Sequence, residues 1–63
     1  MTLNQIAQQA MDYLDSVGVA ADYEIEERRV VIETDDYFFW SGKSSFDELM
    51  VQLKEEYPQK NPA

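Results

Sequence analysis

The sequence predicts a small single-layer α+β domain, in which two helices cover one face of a three-stranded antiparallel meander in the order α-β-β-β-α. Three observations lead to this class. Apolar residues recur at three- and four-residue steps near both ends of the 63-residue chain. Between these segments the period changes to two, and the residues become β-branched and aromatic. The chain holds no further run of elements, so we expect one domain over residues 1–58 and a frayed tail over residues 59–63.

The first helix is marked at both ends. Thr2 followed by Gln5 is a capping box, in which each side chain bonds the backbone N–H of the other residue. Gly18 stands just past the last periodic residue, where a helix end often takes the left-handed conformation that suits glycine. The stripe that we expect to face the core consists of Leu3, Ile6, Ala7, Ala10, Leu14 and Val17.

The middle of the chain indicates three short strands. In the first strand, acidic residues alternate with Tyr23 and Ile25, as in a strand with one buried face. The second and third strands are rich in β-branched and aromatic residues. The expected strands begin at Ala21, Val30 and Tyr37, and the expected two-residue turns are Glu27-Arg28 and Asp35-Asp36.

These turns fix which residues share a face of the sheet. Counting outward from them pairs Ile32 with Tyr23 and Phe39, and it pairs Val31 with Trp40. The face that we expect the helices to cover carries Tyr23, Ile25, Val30, Ile32, Tyr37 and Phe39. The opposite face carries Asp22, Glu24, Glu26, Arg29, Val31, Glu33, Phe38 and Trp40. A one-residue slip in the second turn would exchange the aromatic pairs, but two of the four successive aromatics point away from the helices in either register.

The second helix is expected to begin near Ser44 or Ser45 and to end before Pro58, which cannot continue it. Ser45 and Glu48 have the spacing of a second capping box, and the acids of the first turn suit the helix dipole. The expected buried stripe consists of Phe46, Leu49, Met50, Leu53 and Tyr57.

Composition limits the classes of function. Thirteen Asp and Glu against five Lys and Arg give a formal net charge of −8, so direct binding to nucleic acid or to an anionic membrane is not expected. The chain has no cysteine and no histidine, which removes common metal ligands and the usual general base. We therefore expect no enzyme, no catalytic residue, no cofactor and no metal site. Without a secretory signal or a run of about 18 apolar residues, we expect a cytoplasmic protein.

The sequence partly matches a phosphate-binding loop and a double-stranded-RNA-binding domain, but neither match is complete enough to predict the function of the pattern. Gly42-Lys43-Ser44 lies between a strand and a helix, like the end of a phosphate-binding loop, but the position of that motif's first glycine holds Tyr37. The element order is similar to that of double-stranded-RNA-binding domains. Those domains carry a lysine cluster at the start of the second helix, whereas this chain has Ser45-Phe46-Asp47-Glu48 there. The resemblance implies a similar order of elements and no RNA binding.

The sheet face away from the helices is the candidate site. Trp and Phe are typical interface anchors, and an apolar patch with a charged rim is typical of a protein-binding surface. The expected partner-binding residues are Trp40, Phe38, Val31, Glu24, Glu26, Glu33 and Asp22.

We expect this face to make the protein an inhibitor or adaptor that binds a protein partner. Acids at intervals of roughly 6.7 Å along one strand favour a basic, nucleic-acid-handling partner and mimicry of nucleic acid. In this the chain resembles, in type, small acidic inhibitors of phages and mobile elements. Two alternatives stay open: a homodimer with a structural or regulatory role, and packing of Trp40 against the chain's own sheet edge or Gly42 loop.

Overall fold

The computed structural model describes residues 1–59 and confirms the predicted class. The elements are α1 (Leu3–Ser16), β1 (Ala21–Ile25), β2 (Val30–Thr34), β3 (Phe38–Ser41) and α2 (Phe46–Glu56). β2 lies in the centre of the sheet, with β1 and β3 antiparallel on either side. Of the predicted tail, residues 60–63 lie outside the described residues.

The predicted start and end of α1 are confirmed. The Thr2 backbone N–H donates to Gln5 Oε1 at 2.8 Å, and the Gln5 N–H donates to Thr2 Oγ1 at 3.1 Å, which completes the capping box. Gly18 follows the C-cap residue with φ at +75°, the left-handed conformation that glycine adopts without steric cost. Both signals act locally, so the sequence alone was sufficient to place them.

The strand register also follows the prediction. Backbone hydrogen bonds close both two-residue turns, from the Glu26 N–H to the Arg29 carbonyl at 2.8 Å and from the Thr34 N–H to the Tyr37 carbonyl at 2.9 Å. The ladders then pair Ile32 with Tyr23 on one side and with Phe39 on the other, as expected. β3 runs from Phe38 to Ser41, one residue later than predicted, because Tyr37 belongs to the turn.

Both helices pack on one side of the sheet, where the core forms. The core residues are Ile6, Ala7, Ala10, Leu14, Val30, Ile32, Phe39, Leu49 and Leu53. The expectation that the helices cover the whole apolar side is wrong for three residues. Tyr23, Ile25 and Tyr37 remain 50%, 39% and 45% exposed. The first two belong to an edge strand, which has a neighbour on one side only, and Tyr37 lies at a turn.

The predicted second capping box is wrong. Ser45 is the N-cap of α2, but its side chain makes no bond to the helix. Its hydroxyl oxygen instead accepts from the Gly42 N–H at 3.1 Å and lies 3.3 Å from Ser41 Oγ. The preceding loop therefore competes successfully for the capping group. Asp47 and Glu48 still occupy the first turn, where the helix dipole favours acids.

A group of tyrosines joins the end of α2 to the rest of the domain. The Tyr13 hydroxyl donates to the Tyr57 carbonyl at 2.7 Å, and the Tyr57 hydroxyl lies 2.7 Å from Thr34 Oγ1. The Tyr37 ring meets the Tyr57 ring edge-on at 5.8 Å. The Glu56 carboxylate, by hydrogen bonding first and then by its charge, raises the pKa of the Tyr37 hydroxyl above its ordinary value. This cluster ties α2 to both α1 and the sheet.

Candidate functional site

The side of the sheet that faces away from both helices is called the open face here. It carries Asp22, Glu24, Glu26, Arg29, Val31, Glu33, Phe38 and Trp40. One row across the strands is Glu24, Val31 and Trp40, and the next is Asp22, Glu33 and Phe38. Acids therefore line the β1 margin and aromatics line the β3 margin. Adjacent strands lie about 4.8 Å apart, so these two strips are about 10 Å apart.

The aromatic strip is open to solvent. Phe38 is 69% exposed and Trp40 is 61% exposed, whereas Phe39 between them is buried in the core. This placement excludes the slipped register, in which Phe39 would lie outside. At 61% exposure, Trp40 is not buried by the rest of the chain, although it keeps a contact surface with its own chain at the β3 edge of the sheet. Trp40 instead borders a shallow groove whose other wall is formed by α2, including Glu48 and Gln52.

Val31 departs from the expectation of an exposed apolar cluster. It lies on the open face but is only 9% exposed. It contributes to a shallow depression of about 90 Å³, lined also by Asp22, Glu24 and Glu33. Pockets for small molecules usually hold about 300–1,000 Å³, so this depression suits a single side chain better than a free ligand.

Arg29 connects the two strips, a role that the sequence analysis did not assign. Its Nε donates to Glu26 Oε1 at 2.6 Å, and its guanidinium carbon lies 5.6 Å from the centre of the Trp40 ring. The sequence held the necessary signal, since Arg29 stands two residues before Val31 on the same face, and Val31 pairs with Trp40. Diagonal neighbours of this kind reach each other when their side chains are long.

The acids of the open face thus have different environments. Glu26 is engaged by Arg29, whereas Asp22, Glu24 and Glu33 form no ion pair within residues 1–59. All four acids are exposed. On the open face, the acids without an ion pair in residues 1–59 therefore surround the Val31 depression.

Two other kinds of site, a cluster of metal-ligating side chains and a membrane-spanning helix, are not found in residues 1–59. No group of three or more acidic, cysteine or histidine side chains among residues 1–59 is placed to hold a metal ion. Within the same residues, no helix has the length and apolar character required to cross a membrane. Ser41 is fully buried, and its hydroxyl donates to the Gly42 carbonyl at 2.8 Å. That bond gives Ser41 a structural role in the loop before α2.

No family model, no curated protein and no solved structure matches this chain. The function is therefore inferred from the open face.

Proposed function

We propose that this protein is a small acidic protein-binding module, without enzymatic activity, that acts as an inhibitor or adaptor through its open face. The observation that carries the proposal is the exposure of Phe38 and Trp40 on a sheet face that no helix covers. Large aromatics are the commonest energetic anchors of protein interfaces, and burying them is strongly favourable.

The charge of the open face supports a basic partner. Asp22, Glu24 and Glu33 are exposed around the Val31 depression and form no ion pair with any other residue from 1 to 59. A lysine or arginine side chain laid over Val31 would bury its methylene stem there and place its charged group among the carboxylates. Complementary charge of this kind raises association rates and suppresses wrong partners. A nucleic-acid-handling protein is the partner class that offers such basic side chains, and nucleic-acid mimicry is the corresponding mode of action.

The test is affinity capture of partners from the native host with wild-type protein, the variant W40A and the matched control V51A. Val51 is also apolar and 55% exposed, but it lies on α2. We expect W40A to lose the specific partner and V51A to keep it. Equal capture by all three proteins would refute the role of the open face.

The mimicry is tested on the purified partner. The variant E24K should weaken binding far more than E55K, although both change the net charge by the same amount, because Glu55 lies on α2 away from the open face. Wild-type affinity should also fall steeply with added salt. Binding that is insensitive to salt, or equal losses in the two variants, would contradict mimicry.

A homodimer with a structural or regulatory role is the second candidate, and the composition of β3 favours it. Phe38, Phe39, Trp40 and Ser41 carry no charge, and charged side chains are a common protection of edge strands against self-pairing. Light scattering over a range of concentrations decides this. A mass that doubles in wild type and not in W40A would support the dimer, and a constant monomer mass would refute it.

A further inference from the structure

The outer edge of β1 is a second unpaired surface, and the ladder geometry shows which backbone groups it offers. Glu26 and Arg29 form a hydrogen-bonded pair at the turn. In an antiparallel ladder such pairs alternate with non-bonded ones, so Glu24 and Asp22 also direct their backbone groups to β2. Ala21, Tyr23 and Ile25 therefore direct their N–H and C=O groups away from the sheet. Among the described residues, no turn, loop or side chain supplies a partner for those groups.

The two sides of this edge have different chemistry. On the helix side, the large side chains of Tyr23 and Ile25 are 50% and 39% exposed. On the open face, Asp22, Glu24 and Glu26 lie along the same strand. A strand placed beside β1 would thus meet apolar residues on one side and carboxylates on the other, in strict alternation.

We infer that β1 receives an extended segment of the protein partner as a fourth strand, and that this segment alternates basic and apolar residues. This deepens the proposed function and rests on it, since the segment belongs to the basic partner of the open face. Basic residues of the segment would lie beside the β1 acids, and apolar residues would cover Tyr23 and Ile25. Strand addition to a free edge is a common mode of peptide recognition, in which backbone bonds give affinity and alternate side chains give specificity.

A second copy of this chain does not fit the same edge. Two β1 strands side by side would bring the acidic rows of both copies together, and like charges on neighbouring strands are destabilising. The net charge of −8 adds to this repulsion. The same carboxylates that exclude self-pairing attract a basic strand.

The probe is a synthetic heptapeptide with capped ends in which lysine alternates with valine. Its control is an isomer that has the same lysines and valines in two separate blocks. Amide hydrogen exchange is measured on the full chain by NMR, with and without peptide. We expect exchange at Tyr23 and Ile25 to slow by at least about tenfold. We also expect the alternating peptide to bind at least about tenfold more tightly than the block isomer, because only alternation matches the two sides of β1.

Two variants separate the edge from the open face. I25P removes an N–H that points away from the sheet, so it takes no bond from the ladder, and edge strands tolerate proline. It should abolish peptide binding, with its fold checked by thermal melting, whereas W40A should bind the peptide as wild type does. The exchange measurement on wild-type protein stands independently of how well I25P folds.

The contrary results are equally specific. Slowed exchange at Phe38 and Trp40 in place of the β1 amides would overturn the inference and assign the peptide to β3. Equal affinity for the block isomer would overturn it in favour of simple charge attraction. A doubled mass without peptide that is lost in I25P but kept in W40A would assign β1 to self-association. If a captured partner depends on Trp40 but binds I25P normally, strand addition fails while the proposed function stands. If the peptide binds β1 but no partner depends on Trp40, the open-face proposal fails.

Discussion

Replacing Trp40 with alanine should weaken partner binding by about 30- to 1,000-fold. A tryptophan side chain buries up to about 250 Å² when it is fully enclosed. Since Trp40 is 61% exposed, about 150 Å² remains for a partner to cover. At about 25 cal/mol per Å² this corresponds to about 4 kcal/mol, an upper value because binding also costs side-chain ordering. Anchor residues commonly lose at least about 2 kcal/mol on truncation, which sets the lower end.

The assay is isothermal titration of the purified partner with wild type, W40A and V51A, together with urea unfolding of each protein alone. Because Trp40 is exposed and meets Arg29 at 5.6 Å, its loss should lower the free energy of unfolding by only about 1 kcal/mol or less. A large effect on binding with a small effect on stability identifies a contact surface. If W40A binds within about twofold of V51A, or if its binding loss is matched by a loss of stability, the reasoning about the open face is refuted.

Three further changes test separate parts of the structure. G18A should lower the free energy of unfolding in urea by about 1–2 kcal/mol, because the cost is that of the left-handed backbone and no atom lies within 4 Å of the added Cβ. In wild type, the raised pKa of the Tyr37 hydroxyl means that the folded state holds this proton more tightly than the unfolded state does. The hydroxyl therefore contributes to the free energy of unfolding. This contribution is complete below the ordinary pKa of 10.0 and is lost as the pH rises above it. Y37F, which removes the hydroxyl beside Glu56, should therefore lose less thermal stability than wild type between about pH 9 and pH 11, and equal losses would contradict this. R29A should associate faster with a basic partner, because the variant removes a positive charge from the open face. It should also dissociate about two- to fivefold faster, because Trp40 loses its cation–π contact. Surface plasmon resonance measures the two rates separately.

The parts of the fold that local chemistry determines could be predicted from the sequence. The Thr2 capping box, the left-handed Gly18 and the two-residue turns depend on residues close in the chain, and all of them are confirmed. The failed capping box at Ser45 has the same local pattern as the first. It fails because Gly42, three residues before Ser45 in the chain, donates its N–H to the Ser45 hydroxyl oxygen, which then makes no bond to the helix. A pattern shared by both helix starts could not distinguish these cases.

The sheet face on which each candidate residue lies could be predicted from the sequence, but its exposure could not. Alternation placed Val31, Phe38 and Trp40 on the open face, as the structure has them. The two-residue alternation along a strand assigns each side chain to one face of the sheet, but it does not predict how much of that side chain its neighbours cover. Val31 in the central strand is therefore nearly buried, whereas Tyr23 on the helix side of an edge strand is half-exposed. Exposure depends on a residue's position within the sheet as well as on its face.

The contacts of Arg29 bear on how Trp40 would act as an anchor in the proposed function. An exposed tryptophan on an edge strand would ordinarily sample several rotamers, and each side chain immobilised on binding costs about 0.5–1.5 kcal/mol. Here Arg29 Nε donates to Glu26 Oε1 at 2.6 Å, and the Arg29 guanidinium carbon lies 5.6 Å from the centre of the Trp40 ring. The ion pair is solvent-exposed and contributes little to stability by itself. In the proposed function its consequence would be preorganisation: Arg29 would restrict the Trp40 ring in the free protein, so that binding a partner would cost less side-chain ordering.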